Sequence, residues 1–324
     1  MAEIKRLPLI CLAPMAGISD WPFRLLSHEL GADIGCTEMI SAQGYLSAPK
    51  ESYAYLHLMQ ASPAEGPLVA QVFGRQPDLI FSAIQRITDT GSFAGIDLNM
   101  GCPAPKVCSS GSGAALMKAP NTARAVARAA RLATALPLSV KMRLGWDESS
   151  VNAVPFALML QDEGVDQITV HGRTRVQQYA GKADWQGIAK VRQALRIPVI
   201  ANGDVFSAMD ALDILRVTGC EGIAVGRGAL GNPWLFRQIK QALNGETPQK
   251  PSRETVLILA LRHARMMAGW KGERSAVVEM RKHFAWYLKG MHGAAALRRE
   301  LNQMEDLHKV SQSLASFILS PAAD

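Results

Sequence analysis

Eight short apolar runs, most of them rich in β-branched residues, recur along the chain at 9–15, 34–40, 68–73, 95–98, 138–142, 167–170, 199–201 and 222–225. Most are separated by stretches with helical spacing, at 78–88, 122–134, 153–162, 185–195 and 208–217, while a longer and less regular piece, 41–66, joins the second run to the third. Strands apolar on both faces that alternate with helices imply parallel βαβ units, because only a sheet covered on both sides keeps such strands from water. Eight of them over about 230 residues predict an α/β fold of the (β/α)8 TIM-barrel class. An open doubly wound sheet would instead carry Gly-x-Gly-x-x-Gly between strand and helix. Gly111-Ser112-Gly113 comes nearest, but the third glycine is absent and no run directly precedes it.

The pattern changes after the eighth unit. Residues 244–251 are rich in Gly, Pro and polar side chains, and 252–316 show only helical periodicity. The predicted division is a barrel over 1–243, a linker over 244–251 and a small all-helical C-terminal domain over 252–324. From Glu246 onward 12 basic residues stand against 8 acidic ones, so +4 of the formal charge of +7 lies in this tail. A basic balance favours a polyanionic partner such as nucleic acid or a phosphorylated ligand. The five cysteines, Cys11, Cys36, Cys102, Cys108 and Cys220, are widely spaced with no Cys-x-x-Cys pair. That excludes a disulfide scaffold or zinc ribbon and predicts a reducing, cytoplasmic setting. No apolar stretch reaches bilayer-spanning length, so no membrane association is expected.

In a barrel of this class the active site lies at the C-terminal ends of the strands, and here those ends are polar. Asp97-Leu98-Asn99-Met100-Gly101-Cys102-Pro103 puts Asn99 and the Cys102 thiol at a strand mouth, ahead of a Gly/Ser-rich loop. Lys141 and Arg143 alternate along one strand and therefore project to the same side. Two cations inside a barrel mouth are costly unless they face an anion or an electron-rich ring, and a reduced flavin, anionic at N1–C2=O, would answer a lysine there. His171 and Arg173 repeat the pattern on the next strand. Gln71 interrupts an apolar run, and a buried amide demands partners, which a flavin's pyrimidine edge would supply. Asn202-Gly203-Asp204 and Gly226-Arg227-Gly228 join bare backbone amides to a guanidinium, which suits a phosphate monoester. Nothing resembles His-Glu-x-x-His or a carboxylate cluster, so no catalytic metal is expected.

Together with Leu12-Ala13-Pro14-Met15-Ala16-Gly17-Ile18-Ser19-Asp20, Val140–Trp146, Val170–Thr174 and Ile200–Asp204, these blocks resemble the signatures of the tRNA-dihydrouridine synthases. The tail, with Arg281-Lys282-His283-Phe284-Ala285-Trp286-Tyr287-Leu288-Lys289 and Arg298–Asn302, is similar to the bacterial B-type branch, and the likeness covers essentially the whole chain. The resemblance implies an FMN-dependent enzyme that uses NADPH (or NADH) to reduce a uridine in the D-loop of tRNA. Carried over by position, Pro14, Met15 and Ala16 would touch the isoalloxazine, and Gln71, Lys141 and His171 would hold the ring. Asn202, Gly203, Asp204, Gly226 and Arg227 would hold the ribityl phosphate, while Asn99, Arg143 and Tyr179 would hold the uracil. Cys102 would be the proton donor, and Cys108 stands where the family commonly has Asn.

The chemistry agrees with this assignment. Hydride arriving at C6 leaves enolate-like charge at C5 and O4, which Arg143 or Asn99 could stabilise, and C5 then needs a proton. A thiol of ordinary pKa, about 8.5, is already protonated at neutral pH, so Cys102 is expected to be spaced away from Lys141 and Arg143. In the tail, Arg274, Arg281, Lys282 and Lys289 fall within about a 100° arc of one helix, beside an apolar arc of Val277, Met280, Phe284, Tyr287 and Leu288. That basic stripe is the expected tRNA contact. A monomer is expected. The alternative is another FMN-dependent TIM-barrel oxidoreductase, dihydroorotate dehydrogenase-like, acting on a small molecule, which would not call for a basic helical appendage.

Overall fold

The computed structural model describes residues 7–49 and 52–319; the outer ends of the expected domains, 1–6 and 320–324, lie outside the described residues. The strands are β1 (Leu9–Leu12), β2 (Gly35–Cys36), β3 (Ile40–Ser41), β4 (Leu68–Phe73), β5 (Gly95–Met100), β6 (Leu138–Arg143), β7 (Gln167–His171), β8 (Val199–Asn202) and β9 (Gly222–Val225). All pair in parallel in the order β1-β9-β8-β7-β6-β5-β4-β2, with β3 also on β4. A parallel bridge between Cys11 and Ile34 closes the ring, supported by Leu12 N–H to Ile34 O at 3.0 Å and Ile10 N–H to the Asp33 carboxylate at 2.8 Å. The (β/α)8 expectation holds.

The second run departs from a simple strand. Gly35 and Cys36 pair with Leu68 and Val69, whereas Ile40 and Ser41 pair with Val72 and Phe73, so β2–β3 carries one residue more than β4 between the two pairings. This is a β-bulge, a device that bends a strand and redirects its side chains. The Thr37 hydroxyl accepts the Gln71 N–H at 3.0 Å, filling the gap that the bulge leaves in the ladder.

β1 stops at Leu12, short of the expected 15, because Pro14 has no N–H and the chain turns, with Ser19 N–H bonding Met15 O at 2.9 Å. The expected barrel helices appear as Pro77–Thr88, Pro120–Ala133, Ala153–Asp162, Trp185–Ala194 and Ala208–Thr218. The sequence reading did not include the helices Trp21–Glu29 and Leu235–Leu243. The first has a legible start: Asp20 caps it by accepting the Phe23 N–H at 3.2 Å, with Pro22 in the first turn.

Helices Arg253–Lys271, Glu273–Tyr287, Ala294–Leu301 and Leu307–Leu319 follow the exposed segment 244–250. Their apolar core includes Leu30 and Trp234 from the barrel, so the helices finish their core on the barrel's side. The seam is tight. Gly231, at φ +68°, lies so close to the backbone of Trp286 that an added Cβ would fall 2.4 Å from it. Phe23 lies with its ring centre 5.9 Å from both His263 and His283, and Lys271 lies 3.6 Å from Asp20.

Burial, with the charges of Lys271 and Lys282 adding to it, pushes His263 down to about 3, and burial also holds His283 well below its ordinary value. Neither Nε2 has a hydrogen-bond partner among the described residues. The unfolded chain takes up these protons below about pH 6.5 while the folded chain refuses them, so stability is lost as pH falls from there toward 3. Asp20, raised to about 6 mainly by burial, acts in the opposite direction between 3.8 and 6 and offsets part of the loss. His263 alone should cost about 2 kcal/mol between pH 7 and pH 5, His283 adds a loss of the same sign, and Asp20 returns part of it. Urea unfolding at the two pH values should show the loss, and His283→Leu should make it smaller. An equal pH dependence in that variant would refute the assignment.

Candidate active site

The strand ends surround a cleft of about 540 Å³, within the range of small-molecule sites. Pro14, Met15, Ala16, Gln71, Asn99, Cys102, Lys141, Arg143, His171, Tyr179, Asn202, Gly203, Asp204, Gly226 and Arg227 all line it. Sequence reasoning had singled out each of these, and the parallel register brings them together. Asn99 pairs with Lys141, Arg143 with His171, and His171 with Asn202.

Lys141 is the central charge. Its ammonium donates to Asn202 Oδ1 at 3.0 Å, and the Asn202 amide is oriented by donating to Ala224 O at 2.6 Å. Burial, then repulsion from Arg143, lowers its pKa to about 8, while the Asp97 carboxylate pulls the other way. Asp97 had been assigned no role. It is 5% exposed and accepts from Ser139 Oγ at 2.6 Å and Gln71 Nε2 at 2.7 Å. Its sequence signal was an acid in the middle of an apolar strand. Gln71 gives one Nε2–H and its Oε1 to this network, Asn99 Nδ2 donating to Oε1 at 2.9 Å, which leaves the second Nε2–H for a ligand.

Asn99 Oδ1 in turn accepts the N–H groups of Gly101 at 3.2 Å and Cys102 at 2.9 Å. The asparagine thus holds the turn that carries the thiol. Burial raises the Cys102 pKa, and the lowering pull of Arg143 and Lys141 ranks behind it, so the group is a protonated thiol at neutral pH. Cys108 Sγ donates to Cys102 O at 3.4 Å.

Arg143 gives three of its N–H groups to carbonyls, those of Gly101 and Thr174 at 2.8 Å and Gln178 at 2.9 Å, which leaves the Nη2 pair. Its guanidinium lies 5.7 Å from the Tyr179 ring centre. Arg173 is 1% exposed and holds the same loop, donating to Ala180 O at 3.0 Å and Gly181 O at 2.6 Å. Its Nη1 lies 3.4 Å from His171 Nε2. An arginine can only donate, so the imidazole proton resides on Nδ1. Burial, reinforced by Lys141, Arg143, Arg173 and Arg227, holds His171 far below its ordinary pKa and therefore neutral.

Asp204 takes a left-handed backbone, φ +57°. It accepts from Arg173 at 2.7 and 2.9 Å, from Ala183 N–H at 2.7 Å and from Arg227 at 3.2 Å. Burial would raise its pKa, but these bonds and the two arginine charges outweigh it and lower it. Its carboxylate therefore orients Arg227, whose guanidinium lies 4.8 Å from the Tyr179 ring centre and 5.5 Å from that of Phe206. At Gly226 a Cβ would meet only Met15 Sδ at 3.7 Å and Ala13 Cβ at 3.8 Å, all three residues being part of the cleft lining. The glycine keeps open a cradle beside Arg227, which fits a phosphorylated ribityl chain.

The four tail cations lie apart from the cleft lining and are not equivalent. Arg274 pairs with Glu305 at 2.9 Å, Arg281 donates to Met304 O at 3.0 Å, and Lys282 donates to Gly17 O in the β1 loop. Lys289 follows the helix end at Tyr287, so the single-helix stripe is corrected: Leu288 caps the helix and the chain turns before the fourth cation. The Gly17 N–H also bonds Glu38, which joins the β1 loop to the bulge. Among the described residues no cluster of three or more His, Cys, Asp or Glu is placed to hold a metal, and no helix is long and apolar enough to cross a membrane.

Asp97→Ala removes two hydrogen bonds to a carboxylate, each worth about 1.5–3 kcal/mol. It should lower unfolding stability by at least 2 kcal/mol. Equilibrium denaturation checks this, and a change within 0.5 kcal/mol would show that the network contributes nothing.

The family described as Dihydrouridine synthase (Dus) matches residues 11–322. A probable tRNA-dihydrouridine synthase of Rickettsia bellii (strain RML369-C) is 38% identical over 312 residues, covering 96% of this chain and 95% of the relative. The tRNA-dihydrouridine synthase B of Xanthomonas axonopodis pv. citri (strain 306) is 37% identical over 299 residues, covering 92% and 89%. Among solved structures, a variant of NCR from Zymomonas mobilis superposes with a TM-score of 0.52 at 19% identity, covering 76% of this chain and 90% of that one, a likeness of fold.

Proposed function

Because the chain belongs to the dihydrouridine synthase family, we propose that it reduces the C5=C6 bond of a uridine in the D-loop of tRNA, with FMN as resident cofactor and NADPH or NADH as electron donor. Family membership sets aside the small-molecule flavin barrel. Bound FMN would supply the hydride chemistry at C6 of the uracil. The chain's own residues do the rest. Arg227, oriented by Asp204, and the backbone of Asn202, Gly203 and Gly226 hold the phosphate. Lys141, Gln71 and His171 hold the ring, with Pro14, Met15 and Ala16 against it. Neutral His171 offers Nδ1–H as a donor, and Lys141 offers positive charge. Tyr179 and the free Nη2 of Arg143 face the uracil, where charge develops at O4.

Cys102 carries the reading. Asn99 holds its backbone at the strand mouth, and burial keeps the thiol protonated, so it is ready to donate to C5. In the tail, Arg274 and exposed Lys289 are the tRNA contacts, while Arg281 and Lys282 also hold the helical domain together and against the β1 loop. The enzyme acts as a cytoplasmic monomer.

Two variants test the site. Cys102→Ala should keep its flavin and NADPH oxidation while dihydrouridine formation falls about 10²–10⁴-fold, the range for a lost general acid; Cys108→Ala should be mild. Reversed phenotypes would name the other thiol. Arg227→Ala should lose a charge-assisted phosphate contact of about 1.5–3 kcal/mol and therefore retain FMN poorly through purification. Full flavin content, or FAD in place of FMN, would overturn the phosphate assignment.

A further inference from the structure

A second groove, of about 1070 Å³, opens beside the cleft. Met39, in the bulge between β2 and β3, lines both. The loop after β5 also serves both: Cys102 lines the cleft, and Lys106, four residues on, lines the groove. Arg75 follows β4 and reaches the same loop, since a Cβ on Gly111 would fall 3.0 Å from its guanidinium. Both cations are exposed, and among the described residues no Asp or Glu lines the groove. Neither cation takes part in an ion pair among the described residues. The lining adds two aromatic rings, Tyr55 and Phe73, and two amides, Gln43 and Gln76.

Cations without a competing acid attract phosphate. Rings stack on bases, and amides bond their edges. This is a nucleotide's chemistry. We propose that the groove binds the nucleotide adjoining the reduced uridine, its phosphate against Arg75 and Lys106, an inference that rests on the RNA-reducing function above. The adenylate of the nicotinamide donor offers the same chemistry. The RNA neighbour is the assignment because the groove joins the cleft at Met39 and the Cys102 loop, the side where the uracil is protonated. A nucleotide seated there is a continuation of the chain whose uracil lies at Cys102. The same loop then senses both the flanking nucleotide and the reacting one.

The test is the double variant Arg75→Ala/Lys106→Ala in the full, flavin-loaded chain, assayed with unmodified tRNA and NADPH. KM for tRNA should rise about 10-fold, and the log–log salt slope of tRNA binding should become shallower by about 1.5–2 units. Flavin content, NADPH oxidation without tRNA and KM for NADPH should not change. Single Arg75→Gln and Lys106→Gln variants should each give about half the slope change. Unchanged tRNA kinetics in a double variant whose wild type reduces tRNA would refute the groove and leave the function standing. A raised KM for NADPH with unaltered tRNA binding would assign the groove to the donor and overturn the proposal. A wild type that reduces no tRNA would overturn both.

Discussion

Lys141 is a cation enclosed by a β-barrel, and much of the site answers that charge. Removing an ammonium from water costs several kcal/mol unless fixed dipoles or an opposite charge replace the hydration. Here Asn202 Oδ1 lies 3.0 Å away and the Asp97 carboxylate counters the charge from within the barrel. Each partner then needs holding. Ala224 O orients Asn202; Ser139 and Gln71 hold Asp97; the Nδ2 of Asn99 satisfies Gln71; and its Oδ1 holds the Cys102 turn. Asp97, Gln71, Asn99 and the Cys102 backbone thus form one hydrogen-bonded chain, set against the buried charge by the electrostatic pull of Asp97, and a satisfied chain of this kind specifies a single arrangement.

The opposite rim follows the same logic with the signs reversed. Asp204 is an anion among arginines, and its left-handed backbone is held by four hydrogen bonds to its carboxylate. Arg173 never reaches the cleft lining, but it places the loop bearing Tyr179 and fixes the tautomer of His171. Neutral His171 is therefore a product of burial, which its cationic neighbours reinforce by opposing a further positive charge.

The helical appendage belongs to this architecture as well as to the surface. Lys282 holds the β1 loop at Gly17, and the Trp286 backbone packs on Gly231 in the segment that follows β9. Two of the segments that frame the cofactor cleft therefore rest on one helix. Two histidines that burial keeps neutral lie at that seam.

Much was legible in the chain. Apolar runs alternating with helices determined the barrel, because strands buried on both faces admit few other arrangements. Polar residues at the ends of those runs determined the cleft, since a barrel gathers its strand ends at one mouth. What the sequence could not determine was which polar group meets which. Asp97 meets Gln71 and Ser139 only because β4, β5 and β6 adopt one register, and the extra residue in β2–β3 shows only against β4. Along the sequence Arg281 and Lys282 look like two members of one basic stripe for tRNA; only the fold sets Met304 and Gly17 within their reach. Periodicity is a property of a segment and can be read along it. A side chain's partner is a property of two segments, and only the packed chain brings them together.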